Sequence, residues 1–174
     1  MFHVMARGVR RSPIYFDDAD RQEWLSTLED VVRLHEWRCH AYCLMTNHFH
    51  LVIETPKPNL SAGMHRLNSS HAQWINWRYE LQGHVFDRRF HSVVIESEPQ
   101  LMVVARYVAL NPERAKLCNR AVEWPWSSLR ATLDLEQRPP FLTSDRILAS
   151  FDDDADVART LLLRFVEMPV LAST

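Results

Sequence analysis

Only three glycines occur in the 174 residues, too few for a glycine-rich loop that cradles phosphates with backbone amides. Cysteine is as scarce. Cys39, Cys43 and Cys118 form no secreted disulfide framework, so a reducing, cytoplasmic setting is expected. No apolar run approaches the roughly 20 residues that span a bilayer, which argues against a membrane protein. The opening residues Met1 to Arg7 lack the basic-then-apolar order of a secretory signal. Lysine is nearly missing: 18 of the 20 basic residues are arginine, the type suited to bidentate phosphate contact.

What remains is the composition of an ordinary folded chain, 47% hydrophobic and 24% charged, of a length for one domain or one domain with a small appendage. The net charge of −2 hides an asymmetry. Residues 1–133 carry 16 basic and 14 acidic side chains, residues 134–174 four and eight, and all nine histidines lie at or before His91. A polar, phosphate-binding site is therefore expected in the first part, and an acidic accessory at the end.

Periodicity predicts a strand over Phe2 to Arg7 and a helix from Asp17, whose acidic first turn suits the positive end of the helix dipole. Strands are predicted over Trp37 to Met45 and His48 to Thr55, joined by a tight turn at Thr46-Asn47. A long amphipathic helix should follow Asn59 and end at Gly83, with Met64, Leu67, His71, Trp74 and Ile75 inward. A fourth strand is predicted over Phe90 to Ile95, then a helix from Pro99 to Leu110. This order specifies an α+β, ferredoxin-like antiparallel sheet (βαββαβ) with helices on one face and a further helix after it. After the only plausible linker, Arg138-Pro139-Pro140, two short helices over Ser144 to Phe151 and Asp153 to Glu167 would form the acidic appendage.

Three segments could carry chemistry. In His48-Phe49-His50-Leu51-Val52-Ile53-Glu54, strand alternation puts His48, His50, Val52 and Glu54 on one face and Phe49, Leu51 and Ile53 in the core. Two imidazoles at this spacing stand roughly 7 Å apart, within reach of one metal ion. They would equally serve as plain hairpin histidines, or join Cys39 and Cys43 in a structural zinc site; against zinc, both cysteines would share one face of an apolar strand. Glu54 is either a group supporting the histidines or a solvent contact. In the second segment, Arg106 to Ala115, Tyr107 and Asn111 lie one helical turn apart on one face, although Asn111-Pro112-Glu113 also reads as the start of a new helix. In the third, Gly83 to His91, Arg88 and Arg89 alternate with aromatics in a pattern that holds a nucleic-acid backbone; Arg7, Arg10 and Arg11 form a second such patch.

Taken together, these segments resemble one family. Asn47 to Leu51, preceded by His40 to Met45, resembles the HUH hairpin of single-tyrosine transposases. Arg106-Tyr107-Val108-Ala109-Leu110-Asn111-Pro112-Glu113-Arg114-Ala115 is similar to the nucleophile helix of their REP-associated tyrosine transposase branch, as are Gly83 to Phe86 and Trp124 to Ser128. The resemblance covers about residues 2–133, which sets a catalytic domain over 1–133 and an acidic helical extension over 134–174. Thr46 stands where proline is usual and Val9 where a polar residue is common, and the tail lacks a basic segment that could read a hairpin.

The resemblance implies cleavage and rejoining of single-stranded DNA, including hairpin or palindromic strands, by transesterification. Tyr107 would be the nucleophile, with Tyr42, Tyr79 and Tyr15 as the other tyrosines. His48, His50 and Asn111 would hold Mg²⁺ or Mn²⁺, and Arg7, Arg10, Arg11, Arg88 and Arg89 would contact DNA. The alternatives are a non-catalytic nucleic-acid-binding module derived from a transposase and a water-using metal phosphodiesterase. Monomer and homodimer are both open, as is the use of Tyr107 within its own chain or in a partner.

Overall fold

The structure, a computed structural model, describes residues 1–169; residues 170–174 of the expected extension lie outside the described residues. β1 (Phe2–Arg7) pairs antiparallel with β3 (His48–Glu54) on one side and β4 (His91–Val94) on the other. β2 (Arg38–Leu44) pairs antiparallel with the far side of β3, giving the order β2-β3-β1-β4. The crossovers are α1 (Asp18–His35) and α2 (Leu60–Arg78), which completes the βαββαβ arrangement read from the sequence.

Local chemistry fixes these elements. Asp17 caps α1 by accepting from the Asp20 amide, and the Asp20 carboxylate accepts in return from the Asp17 amide. The same Asp20 carboxylate accepts from Arg78, Trp74 and Tyr79, which ties the start of α1 to the end of α2. α2 stops at Arg78 rather than at Gly83, because Glu80 turns the chain with a φ of 52°. Gly63 lets α2 approach the Trp37 ring: a β-carbon there would lie 2.2 Å from it.

The sheet is covered on both faces. Phe49, Leu51 and Ile53 of β3 join Val4, Ala6, Trp24, Leu28, Met64 and Leu67 in the core under α1 and α2. Val52 faces the opposite core, built by α3 (Glu98–Arg114), α4 (Leu129–Thr132), α5 (Asp145–Leu148) and α6 (Ala155–Glu167). Only the two crossover helices thus occupy the single face foreseen for the helices. The expected appendage supplies core to both layers: Phe141 and Leu142 under α1 and α2, and Ile147, Leu148, Ala158, Leu162 and Val166 against α3.

Two features of β2 depart from the sequence expectation. Its register with β3 jumps between Cys39 and Ala41, leaving His40 as the extra residue of a bulge. The jump reverses the alternation, so Cys39 enters the α1/α2 core while Cys43 enters the α3 core. The two thiols therefore lie on opposite faces of the sheet. Along the outer edge of β2 runs the segment Trp124 to Ser128. The Leu44 amide donates to the Trp126 carbonyl, the Ser128 amide donates to the Tyr42 carbonyl, and the Trp124 indole donates to the Leu44 carbonyl. That segment covers what would otherwise be an open sheet edge.

Candidate active site

The face of β3 opposite its apolar residues carries His48, half-buried, and His50, almost wholly buried. Their rings meet edge to face with centroids 5.0 Å apart, closer than the rise of the strand alone would place them. α3 crosses this face and sets Tyr107 against the pair, its ring centroid 5.5 Å from that of His50. One turn on, the Asn111 side-chain amide donates to the Tyr107 carbonyl at 2.7 Å, which leaves its oxygen out of that bond. α3 reaches this position because it continues through Pro112 to Arg114 instead of ending at Leu110. A proline so near a C-terminus deprives only one carbonyl of its helical partner.

Both imidazoles are held neutral. Burial, then the charge of Arg7, pushes the His48 pKa down to about 4. Burial, then His48, His3 and Arg7, pushes His50 down to about 3, with Asn111 acting weakly the other way. The tautomer of His48 is fixed by its neighbour. Asn47 donates from its amide nitrogen to the Arg11 carbonyl at 2.8 Å, so its oxygen is the atom 2.7 Å from His48 Nδ1. His48 Nδ1 therefore donates, and Nε2 keeps the lone pair. The Nε2 of His50 is buried and has no hydrogen-bond partner.

The other chemistry read from the sequence is elsewhere. Tyr15 and Tyr42 are buried, and the Tyr79 hydroxyl donates to Asp20; Tyr107, 38% exposed, is the tyrosine beside the histidines. The structural zinc alternative fails, since Cys39 and Cys43 are divided by the sheet. Among the described residues no three His, Cys, Asp or Glu side chains converge on a metal position. Glu54 neither supports the histidines nor stands free in solvent. It lies at the far end of β3 and binds His40 at 3.1 Å and Arg38 and Arg146 at 3.3 Å each.

Of the five arginines assigned to DNA, Arg7 and Arg88 line one depression of about 250 Å³ with Met5 and His91, beside the histidines. Arg10 and Arg11 stand exposed on the turn after β1, both with left-handed φ. Arg89 lies in an adjoining cleft of about 970 Å³ between α2 and residues 83–90, which Arg88 also lines. Sequence reading missed three residues at the site. His3 of β1 places Nε2 3.0 Å from His50 Nδ1, Asn47 orients His48, and the Arg114 guanidinium lies 5.5 Å from the Tyr107 ring centroid. Arg114 follows Tyr107 by two helical turns, a spacing visible in the sequence; the other two depend on strand register and turn geometry.

A family model described as "Transposase IS200 like" matches residues 1–111, a span holding the whole sheet, the histidine pair, Tyr107 and Asn111. The chain belongs to the IS200-like transposase family. Among solved structures, this transposase superposes on a REP-associated tyrosine transposase bound to a REP hairpin, with a TM-score of 0.65 and 15% identity. That match covers 82% of this chain and 83% of the other, and shows a common fold. A proposed transposase from Deinococcus radiodurans R1 aligns over 62% of this chain and 86% of its own, at 15% identity and a TM-score of 0.46. No curated protein matches the transposase at comparable significance. No helix among its described residues is long and apolar enough to cross a membrane.

Proposed function

We propose that this transposase cuts and rejoins single-stranded DNA through a covalent phosphotyrosine formed by Tyr107. The observation that carries the reading is the partly exposed phenol packed 5.5 Å from the buried His50 ring. In the forward step, Tyr107 Oη bonds to the scissile phosphorus while the bond to the 3′ oxygen breaks. The phenolic proton is lost, and the leaving oxygen gains one to become a free 3′ hydroxyl. The phosphorus remains a diester, so attack by that hydroxyl reverses the step without ATP.

His48, His50 and Asn111 suit a divalent ion, the cofactor general to HUH transposases. Two neutral imidazoles, one with a free Nε2 and one with an unpartnered buried Nε2, would be joined by the carboxamide oxygen of Asn111, one turn from Tyr107. Bound there, Mg²⁺ or Mn²⁺ would polarise the scissile phosphate and offset the charge that builds on it. The nitrogen ligands favour Mn²⁺, cellular abundance Mg²⁺. Arg7 and Arg88 would hold the backbone entering the site, with Arg10, Arg11 and Arg89 extending that tract. The substrate class is a single strand able to form a hairpin or palindrome, consistent with the hairpin bound by the structural neighbour. Residues 1–133 carry the chemistry in this reading, and the extension braces α3.

The test is labelled single-stranded DNA incubated with protein and Mn²⁺, then denatured and run on a gel. A shifted covalent band is expected. Tyr107→Phe should abolish it while the melting temperature and DNA binding stay near wild type, since one exposed hydroxyl is lost. A band that persists in Tyr107→Phe, or product without any adduct in wild type, overturns the assignment; the latter outcome favours hydrolysis by water. DNA binding with neither adduct nor product favours the non-catalytic module.

A further inference from the structure

We infer that His3 is a positioning residue for His50, accepting the Nδ1 proton so that Nε2 is presented as a metal-binding nitrogen. The inference rests on the metal-holding role of the histidine pair but not on DNA cleavage. His3 sits on β1 opposite Val52, so it reaches His50 diagonally across the β1–β3 ladder. Its Nε2 lies 3.0 Å from His50 Nδ1, and the two rings meet edge to edge, 5.1 Å between centroids with 27° between their planes, the arrangement of an in-plane hydrogen bond.

One proton lies between these two nitrogens, and its location decides what His50 can do. If His3 donated it, His50 would carry its own proton on Nε2, and the nitrogen facing Asn111 would have no lone pair to offer. If His50 donates, Nε2 is free, which matches a buried Nε2 that makes no hydrogen bond. The arrangement repeats the logic seen at His48, where the Asn47 oxygen accepts from Nδ1. Each ligand then has an acceptor of its own from a different part of the chain, the usual means of fixing ring orientation at a metal.

Two other roles for His3 fit the geometry less well. As a third ligand it would have to point at a position shared with His48 and His50, and no such trio occurs among the described residues. As a base for Tyr107 it would need a hydrogen bond to the phenol, whereas their rings meet edge-on at 5.8 Å.

The test uses the full chain. Nitrogen-15 spectra of the metal-free wild type read the tautomers directly; His50 should be protonated at Nδ1 and His3 bare at Nε2. Mn²⁺ affinity, followed by the paramagnetic resonance of the free ion, should fall about 10–100-fold in His3→Phe, which keeps an aromatic ring but no acceptor. His3→Gln restores an acceptor near the Nε2 position and should recover most of that loss. A His50 tautomer protonated at Nε2 overturns the inference, as does wild-type affinity in His3→Phe or failure of His3→Gln to bind better than His3→Phe. Should His3→Phe not fold, the wild-type tautomer decides alone. Absence of Mn²⁺ binding in wild type rejects the inference together with the metal reading, whereas loss of DNA cleavage with Mn²⁺ affinity intact leaves it standing.

Discussion

Single side chains at this site are held by partners that do no chemistry of their own. Asn47 has its amide nitrogen on the Arg11 carbonyl and its oxygen on His48, so one side chain joins the turn after β1 to the histidine face. Asn47→Ala should lower Mn²⁺ affinity by about 10–100-fold while leaving the circular dichroism spectrum unchanged. An unaltered binding isotherm would show that His48 needs no such hold. His48, His50, Tyr107 and Asn111 were all legible as candidates, because two local motifs contain them and strand and helix periods say which way they face. Asn47 looked like a turn residue, and its role appears only once the Arg11 carbonyl is in place. His3 was illegible for a different reason: it stands 47 positions from His50 in the chain, and only the β1–β3 register brings them together.

At the scale of elements, what could be read and what could not divides along packing. The alternation of β3 is observed residue by residue, since His48, His50 and Glu54 mark one face of a strand whose other face, Phe49, Leu51 and Ile53, is wholly apolar. β2 carried no such contrast. Cys39, Ala41, Tyr42, Cys43 and Leu44 are acceptable in either core, so the sequence holds no mark of the point at which the strand changes phase. The end of α3 was misplaced because Pro112 was taken as a barrier, although the last turn tolerates it. Gly63 separates propensity from packing quantitatively. On propensity alone, Gly63→Ala in mid-helix should stabilise by up to about 1 kcal/mol. The Trp37 ring stands where the methyl would go, and its indole is held by the Asn59 side chain at 2.8 Å. The substitution should therefore destabilise by about 1–3 kcal/mol, as overpacking does. A denaturant midpoint that rises in Gly63→Ala would contradict this.

For the whole molecule, three imidazoles, His50 and His71 buried and His48 half-buried, govern the response to mild acid. Burial holds His48 at about 4, His50 at about 3 and His71 at about 4, all below the ordinary value near 6.5. Between those limits the unfolded chain binds more protons than the folded one, so stability rises with pH across this window and levels off above it. The melting temperature should fall steadily from pH 7 to pH 5, before the depressed carboxylates Asp17, Asp20 and Glu54 begin to titrate. A flat profile over that interval would mean that the histidines are hydrated in solution.

The extension is part of the same fold. Phe141 and Leu142 fill one core, and Leu162 and Val166 lie against α3. The Arg120–Glu167 ion pair and the bond from Arg106 to the Met168 carbonyl hold α6 there. A fragment ending at residue 133 should keep helical far-ultraviolet dichroism but lose the near-ultraviolet signal of packed aromatics. A cooperative melt of that fragment would show that residues 1–133 fold alone.

The bulge at His40 has a genetic corollary. Deleting that one codon would close the ladder without shifting it: Cys39 and Ala41 already face opposite sides of the sheet on consecutive partners of β3, and Tyr42, Cys43 and Leu44 would keep their sides. Among single-codon deletions across β2, the one at position 40 should therefore be the best tolerated, at the cost of the bonds from His40 to the Thr143 carbonyl and Glu54, and a deletion survey would reveal a permissive point in the middle of a buried strand.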